Sequence, residues 1–288
     1  MVQIMTKKII CIVVVILMTI AIAGGILIFE DKNIELNKYD ITSDDLPAEF
    51  DGFRIVHISD LHNAVLGKDN SAIIDIIKTA EPDIIAITGD IVDSRRTDVD
   101  VSVAFVNEIV KIAPCYYVTG NHESRIGEEY SSLKNRMKEA GVYVLDDKTT
   151  TIERSGATIE IIGIEDPAFS VSGTTETEAE VVVHNLRKLT DTEKNFTLLL
   201  SHKPEFFDVY AENEIDLVLS GHTHGGQIIL PFVGGVIAPG QGFFPEYDSG
   251  LFEEGSTDMV VSRGIGNSII PLRVNNRPEI ILIELYSN

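Results

Sequence analysis

Five short fragments concentrate the residues of this chain that could do metal chemistry. They are Asp60-Leu61-His62, Gly89-Asp90-Ile91-Val92-Asp93, Gly120-Asn121-His122-Glu123, Ser201-His202 and Gly221-His222-Thr223-His224. Of the chain's seven histidines, five fall inside these fragments: His62, His122, His202, His222 and His224. Each fragment follows a short apolar run ending in Gly, Ser or Thr, as the tip of a buried strand would. Imidazole and carboxylate are donors that borderline divalent metals accept. A carboxylate has two oxygens and can bridge two cations about 3.5–4 Å apart, which a single imidazole cannot do. In Gly221-His222-Thr223-His224 an extended backbone would point both imidazoles the same way. Five unrelated histidines, core or surface, are the bland alternative, and they leave this common placement unexplained.

Elements of regular length separate the fragments. Phe53–Ser59 reads as a strand, followed by a helix from about Asn70 to Ala80 with Asn70 as a candidate N-cap. Asp83–Thr88 reads as a buried strand, Asp98–Ile112 as a helix and Cys115–Thr119 as a third strand. Glu128–Ala140 then reads as a helix stopped by Gly141. This alternation predicts βαβ units and a parallel sheet. Beyond it, Thr149–Arg154 and Thr158–Ile164 flank the turn residues Ser155-Gly156 of a hairpin. A helix near Glu176–Leu189 precedes strands at Phe196–Leu200 and Asp216–Leu219. From Gln227 onward Gly and Pro are frequent, and strands are expected at Met259–Ser262 and Glu279–Leu285. Periodicity alone gives an α/β class, with no internal repeat. In open α/β sheets, sites form beyond the carboxyl ends of strands, where the fragments lie.

The 288-residue chain suits one catalytic domain and one apolar segment. Residues 1–8 read as a cytoplasmic n-region, 9–29 as a transmembrane anchor, 30–50 as a polar connector and 51–288 as the catalytic domain. Ile9–Phe29 carries no charge, follows Lys7-Lys8 and stops at Glu30-Asp31. Its length can span a hydrocarbon core of roughly 30 Å. Ala21-Ile22-Ala23 resembles a signal-peptidase site, but the apolar run continues through Ile26–Phe29, beyond the usual h-region. We therefore read an uncleaved, single-pass anchor, with Lys7 and Lys8 inside and the domain extracytoplasmic. All 45 acidic residues follow the anchor, while two of the 23 basic ones precede it, so residues 30–288 carry a formal charge of −24. That charge, without a basic patch, argues against nucleic acid as a partner. Cys11 lies in the anchor and Cys115 in an apolar run, so the two are not expected to pair.

Taken in order, the five fragments resemble the signature of the calcineurin-like metallophosphoesterases: D-x-H, G-D-x-x-D, G-N-H-[DE], H and G-H-x-H. The resemblance runs from about Phe53 to Leu285. Through Ser262-Arg263-Gly264-Ile265-Gly266, Pro271-Leu272-Arg273 and Arg277-Pro278-Glu279-Ile280 it extends to a membrane-anchored bacterial phosphodiesterase branch. It implies a four-layer αββα sandwich of two mixed β-sheets flanked by helices. It also implies two divalent metal ions, one held by Asp60, His62, Asp90 and His224. Asp90, Asn121, His202 and His222 would hold the other, with Asp90 bridging. Donor types alone do not choose between Mn, Fe, Zn and Mg. The implied reaction is in-line attack on phosphorus by a hydroxide held between the metals. His122 is the implied leaving-group acid, and Asp93 the carboxylate that orients it and raises its pKa. Glu123 reads equally as support for the site or as a structural hydrogen-bond acceptor.

Protein phosphatases of this superfamily place Arg-Gly directly after G-D-x-x-D, whereas Asp93 here precedes Ser94-Arg95-Arg96. Arg95, Arg96 and Arg125 could reach a phosphate or lie exposed on loops. Arg263, Arg273 and Arg277 could support the site or pair with carboxylates. His57 reads as packed and His184 as exposed. The expected activity is a membrane-anchored phosphodiesterase acting on a phosphoester substrate, lipid-linked ones included. One alternative is pyrophosphate cleavage in a lipid-linked nucleotide such as a UDP-acylated sugar. Another is a metal-free interaction scaffold, which the intact ligand set disfavours. Specificity is expected from the loops Pro167–Thr177 and Pro231–Gly250.

Overall fold

The computed structural model describes residues 33–171, 173–190, 195–267 and 273–288. The expected anchor, with Lys7, Lys8 and Cys11, lies outside these residues, as does Pro271-Leu272. In chain order the first half runs β1 (Glu35–Ser43), β2 (Phe53–Ile58), α1 (Ser71–Ala80), β3 (Ile84–Thr88), α2 (Val99–Ile109), β4 (Cys115–Val118), α3 (Glu128–Glu139) and β5 (Tyr143–Val144). Next come β6 (Lys148–Arg154), β7 (Ala157–Gly163), α4 (Glu178–Leu189), β8 (Thr197–Leu200), α5 (Phe207–Glu212) and β9 (Leu217–Ser220). Two small hairpins follow: β10 (Ile229–Leu230) with β11 (Gly234–Gly235), and β12 (Ile237–Ala238) with β13 (Gly242–Phe243). The chain ends with β14 (Gly250–Glu254), β15 (Thr257–Val261) and β16 (Glu279–Ser287).

The larger strands form two six-stranded mixed sheets, ordered β1-β16-β2-β3-β4-β5 and β14-β15-β9-β8-β7-β6. Strand side chains alternate between faces, and here both faces are covered. In the fully buried β3, Ile84 and Ala86 join the core between the sheets, while Ile85 and Ile87 join the core beneath α1, α2 and α3. The second sheet repeats the arrangement. Leu198 and Leu200 of β8 face the first sheet, and Leu199 packs with Leu186, Phe207 and Tyr210 under α4 and α5. These three cores separate four layers, helix–sheet–sheet–helix. Cys115 is a free thiol buried in the core beneath the helices of the first sheet, its pKa pushed up to about 12 by burial.

Three local expectations change. The segment read as a polar connector contains β1, which pairs in parallel with β16 from Glu35↔Glu279 to Ser43↔Ser287. As an edge strand with mostly exposed or half-buried side chains, it carries no strong apolar pattern. Asn70 does precede α1, but in the left-handed region (φ 61°), and its Oδ1 accepts from Leu66 N at 2.8 Å rather than capping the helix. α4 starts at Glu178, where Thr177 and Glu180 form a reciprocal capping box.

Strands β2, β3 and β4 run parallel, as do β8 and β9, and their carboxyl ends lead into the five fragments. The two sheets meet there, where His202 Nδ1 lies 2.7 Å from the carbonyl oxygen of Thr88.

Candidate metal centre

Asp60 and Asp90, the two candidate carboxylates, each have one oxygen fixed and one left for another partner. Asp90 Oδ1 accepts from the His122 N–H at 2.7 Å, and Asp60 Oδ2 accepts from the His222 N–H at 3.0 Å and from Ser59 Oγ at 2.5 Å. The opposite oxygens face imidazoles. Asp60 Oδ1 stands 3.3 Å from His224 Nε2 and 3.6 Å from His62 Nε2. Asp90 Oδ2 stands 3.5 Å from His62 Nε2 and 3.4 Å from His202 Nε2. One oxygen of Asp90 therefore faces histidines on two sides.

Two groups of donor atoms result, each within 4.8 Å: Asp60, His62 and His224, and Asp90, His202 and His222. The donor set fits a divalent cation. His62 Nε2 and His224 Nε2 confront each other at 3.1 Å, as do His222 Nδ1 and His202 Nε2. Asp60 Oδ1 is buried without a hydrogen-bond partner. Thr88 O takes the Nδ1 proton of His202, leaving Nε2 as the free donor, the usual arrangement behind a ligand imidazole. The Asn121 amide lies between His222 Nδ1, 2.9 Å away, and the Arg125 guanidinium, where its nitrogen can donate to the imidazole and its oxygen accept from the arginine.

The electrostatics agree. Burial opposes a charged His202, but the Asp90 and Asp60 carboxylates outweigh it and push the imidazole up to about 10. The cluster thus draws positive charge to the Asp90 side. Burial pushes His224 down to about 3 and keeps it neutral, as a ligand must be.

Five of these residues occupy the left-handed region: Asp60, His62, Asp90, His222 and His224, with φ of 53°, 46°, 50°, 71° and 49°. Such backbone is uncommon outside glycine and persists where the surrounding structure imposes it. It also corrects the expectation of an extended G-H-T-H segment. Thr223 is helical between the two left-handed histidines, so a tight turn, not strand alternation, sends the imidazoles to neighbouring donor groups. Gly221 permits it, since a Cβ there would meet Ser59 Oγ at 1.8 Å.

Glu123 is fully buried and accepts from four backbone N–H groups: Gly120 at 2.7 Å, Asp90 and Ile91 at 2.9 Å and Val92 at 3.3 Å. It ties the loop after β3 to the loop after β4 and so holds Asp90 in place. Burial and the Asp90 charge push its carboxyl up to about 8, against the backbone donors. A cation held by Asp90 would offset the second cause and favour the carboxylate those donors need.

His122 borders the centre, with Nε2 4.0 Å from Asp90 Oδ2. Its Nδ1 accepts from the Ser94 N–H at 3.0 Å, which leaves the proton of a neutral ring on Nε2. Asp93 Oδ1 lies 3.5 Å from the same Nδ1, while the carboxylate is gripped by Arg95 through Nε and a terminal nitrogen, each at 2.9 Å. Burial lowers the His122 pKa, and the nearby Asp90 and Asp93 carboxylates, which raise it as expected of such partners, do not outweigh that burial. His62, Asp93 and His122 also bring donor atoms within 4.8 Å. Ser94 and Arg95 already engage two of those three.

A cavity of about 280 Å³ opens on the centre, lined by Asp90, Asn121, His122, His222 and His224 together with Arg125, Glu178, Lys203, Pro239 and Gly240. Of the three arginines in question, Arg125 reaches it, Arg95 is held by Asp93, and Arg96 is exposed. Lys203 escaped the sequence reading although it adjoins His202. It is buried and pairs with Glu178 at 2.5 Å across the cavity wall. Arg273 is fully buried and donates to the carbonyls of Arg263 and Gly266, while Asn276 donates to that of His224 at 2.7 Å. These bonds brace the His224 turn. Arg263 and Arg277 pair with Glu35. His57 is packed against Thr88 Oγ1 at 2.8 Å and kept neutral by burial, and His184 is exposed.

The family model of the calcineurin-like phosphoesterases matches residues 53–226, from the start of β2 to just past His224. A protein named uncharacterized metallophosphoesterase YkuE, from Bacillus subtilis (strain 168), is 35% identical over 90% of this chain and 87% of its own. Phosphodiesterase YaeI from Escherichia coli (strain K12) is 32% identical over 81% of this chain and 82% of its own. The crystal structure of TT1561 from Thermus thermophilus superposes with a TM-score of 0.51 at 14% identity, covering 74% of this chain and 90% of that one. At that identity the likeness speaks for the fold alone.

Proposed function

The chain belongs to the calcineurin-like phosphoesterases and is a metal-dependent phosphoester hydrolase; on that premise we propose a membrane-anchored, two-metal phosphodiesterase. Asp60, His62, Asp90 and His224 would hold one ion, and Asp90, Asn121, His202 and His222 the other. One observation carries the pair: a single Asp90 oxygen faces His62 at 3.5 Å and His202 at 3.4 Å. When bound, two such ions supply an activated water nucleophile and neutralise charge on the phosphoryl oxygens.

This chain's own residues supply the rest. Arg125 places positive charge on the cavity wall, where a phosphoester would lie, while Lys203 beside it is paired with Glu178. The Ser94 N–H on Nδ1 favours the Nε2–H tautomer of a neutral His122. To act as the acid the ring takes a second proton on Nδ1, facing Asp93 Oδ1 3.5 Å away, so that giving the Nε2 proton to the leaving oxygen leaves neutral imidazole. Asp93 acts on His122 through its charge at 3.5 Å and through the Arg95-clamped loop. Diester over monoester is favoured by similarity to YaeI, whose name is that of a phosphodiesterase.

Anchoring rests on the uncharged run Ile9–Phe29. Among the described residues no helix is long and apolar enough to cross a membrane. A hydrolysis panel of mono-, di- and pyrophosphate esters, lipid-linked ones included, run across Mn, Fe, Zn and Mg, tests the activity. Diesters should be cleaved fastest. A clear preference for the pyrophosphate of a lipid-linked nucleotide would replace the diester reading.

A further inference from the structure

Eight large apolar side chains are exposed among the described residues. Five of them, Leu230, Phe232, Val233, Phe243 and Phe244, belong to the consecutive hairpins β10–β11 and β12–β13. Phe232 is 108% exposed and Phe243 73%. Residues 228–244 contain no charged side chain, in a protein of formal charge −22. The rings stand on ordered backbone, since Val236 N donates to Ile228 O and Phe244 N to Val236 O, both at 2.9 Å. Exposed apolar side chains gathered in one uncharged segment are the kind of surface that marks an interaction site.

The ribbon borders the metal centre. Pro239 and Gly240, at the β12–β13 turn, line the cavity beside His222. Gly226, two residues after His224, packs so closely on Gly235 that a Cβ would lie 2.5 Å from its Cα.

The chain also enters the domain at this end. β2 leads to Asp60 at its carboxyl end, β16 runs antiparallel to β2, and β1 runs parallel to β16. Glu35, the first residue of β1, therefore stands at the metal end of the sheet, opposite Glu279. Its N–H donates to Pro278 O at 2.8 Å, and Val274, four residues before Pro278, bridges to Ile228 at the base of the ribbon. The uncharged run of the N-terminal sequence ends at Phe29, six residues before Glu35. Six residues reach about 20 Å at most. An anchor in that run would emerge close to the ribbon.

We propose that the β10–β13 ribbon inserts its apolar side chains into a lipid bilayer and turns the metal centre toward the membrane surface. There the substrate is a phosphoester carried on a lipid headgroup. The substrate half rests on the anchored-phosphodiesterase reading above; the docking half does not depend on catalysis. The ribbon carries no Lys or Arg and the domain is strongly acidic, so docking is apolar and needs no anionic lipid.

The chain contains no tryptophan, so F232W and F243W each create a single fluorophore in the full-length protein. These variants are reconstituted in phosphatidylcholine vesicles, with and without brominated acyl chains, with F244W as a third position should either fold poorly. We expect a blue-shifted emission and at least a twofold quenching by the brominated lipid. Y286W, at the opposite end of β16, should stay unquenched. Adding D90N should leave the quenching unchanged, which separates a failure of docking from a failure of catalysis. Unquenched emission at the ribbon positions, in protein that floats with the vesicles, overturns the proposal. So does a blue shift in detergent accompanied by a doubling of protein mass, because a second copy would then cover the ribbon.

Discussion

Asp90 has one oxygen committed to the His122 N–H and the other between two histidines. Asp90→Asn can keep the first bond but loses the charge that two cations would share. We expect loss of at least one metal equivalent and near-complete loss of turnover, with an unchanged circular dichroism spectrum. Two full equivalents by metal analysis and normal turnover would sink the assignment. His122→Gln tests a different step. Metal content should be unchanged, since His122 Nε2 lies 4.0 Å from Asp90 Oδ2. General acid catalysis contributes about 10²–10⁴-fold, so turnover of an alkyl diester should fall by roughly that factor. A p-nitrophenyl ester leaves as a phenolate that hardly needs a proton, and its loss should be much smaller. Equal losses on the two substrates would mean that His122 is not the acid.

Loops at the strand ends, more than the strands themselves, hold the centre together. Glu123 joins two of them through four N–H groups. In Glu123→Gln the amide NH₂ must face at least one of those donors. An unsatisfied buried group costs about 1–3 kcal/mol, so the melting temperature should drop and metal should bind more weakly. Unchanged thermal unfolding of the metal-free variant would count against this bracing. The G-H-T-H turn offers a complementary test. In Gly221→Ala the new methyl would collide with Ser59 Oγ and crowd Asp60 Oδ2, which lies 2.4 Å from the Cβ position. Displacing a group that orients a ligand typically costs 10–100-fold in metal affinity. On the two-ion proposal, titration calorimetry should show that loss at the site that includes Asp60, with the site at Asp90 and His202 less affected.

For the whole molecule, the sandwich directs all five fragments, the ribbon and the start of β1 to one end. An anchor preceding β1 would hold that end near a bilayer. The full-length protein should fractionate with membranes, resist extraction by high salt and keep its own N-terminus. N-terminal sequencing that begins at Gly24 would show instead that the apolar run is a cleaved signal.

Much of this was legible in the linear chain. The apolar runs ending at Ser59, Thr88, Thr119, Leu200 and Leu219 mark strands β2, β3, β4, β8 and β9, because buried strands must be apolar on both faces. The donors that follow them have unmistakable chemistry. Periodicity reports only what a residue shares with its chain neighbours, however. β1 stayed hidden because its pattern is that of an edge strand, and its partner β16 lies more than 240 residues away. The part Glu123 plays stayed ambiguous for the same reason: three of its four donors come from another loop. The turn at His222–His224 defeated the strand rule, since left-handed backbone is imposed by Ser59, Asp60 and Arg273 packing around it. The order of residues was enough to say which groups could bind metal and that strand ends would carry them. Tertiary structure decided which nitrogen and which oxygen of each face inward, because that choice belongs to hydrogen bonds between segments that meet only on folding.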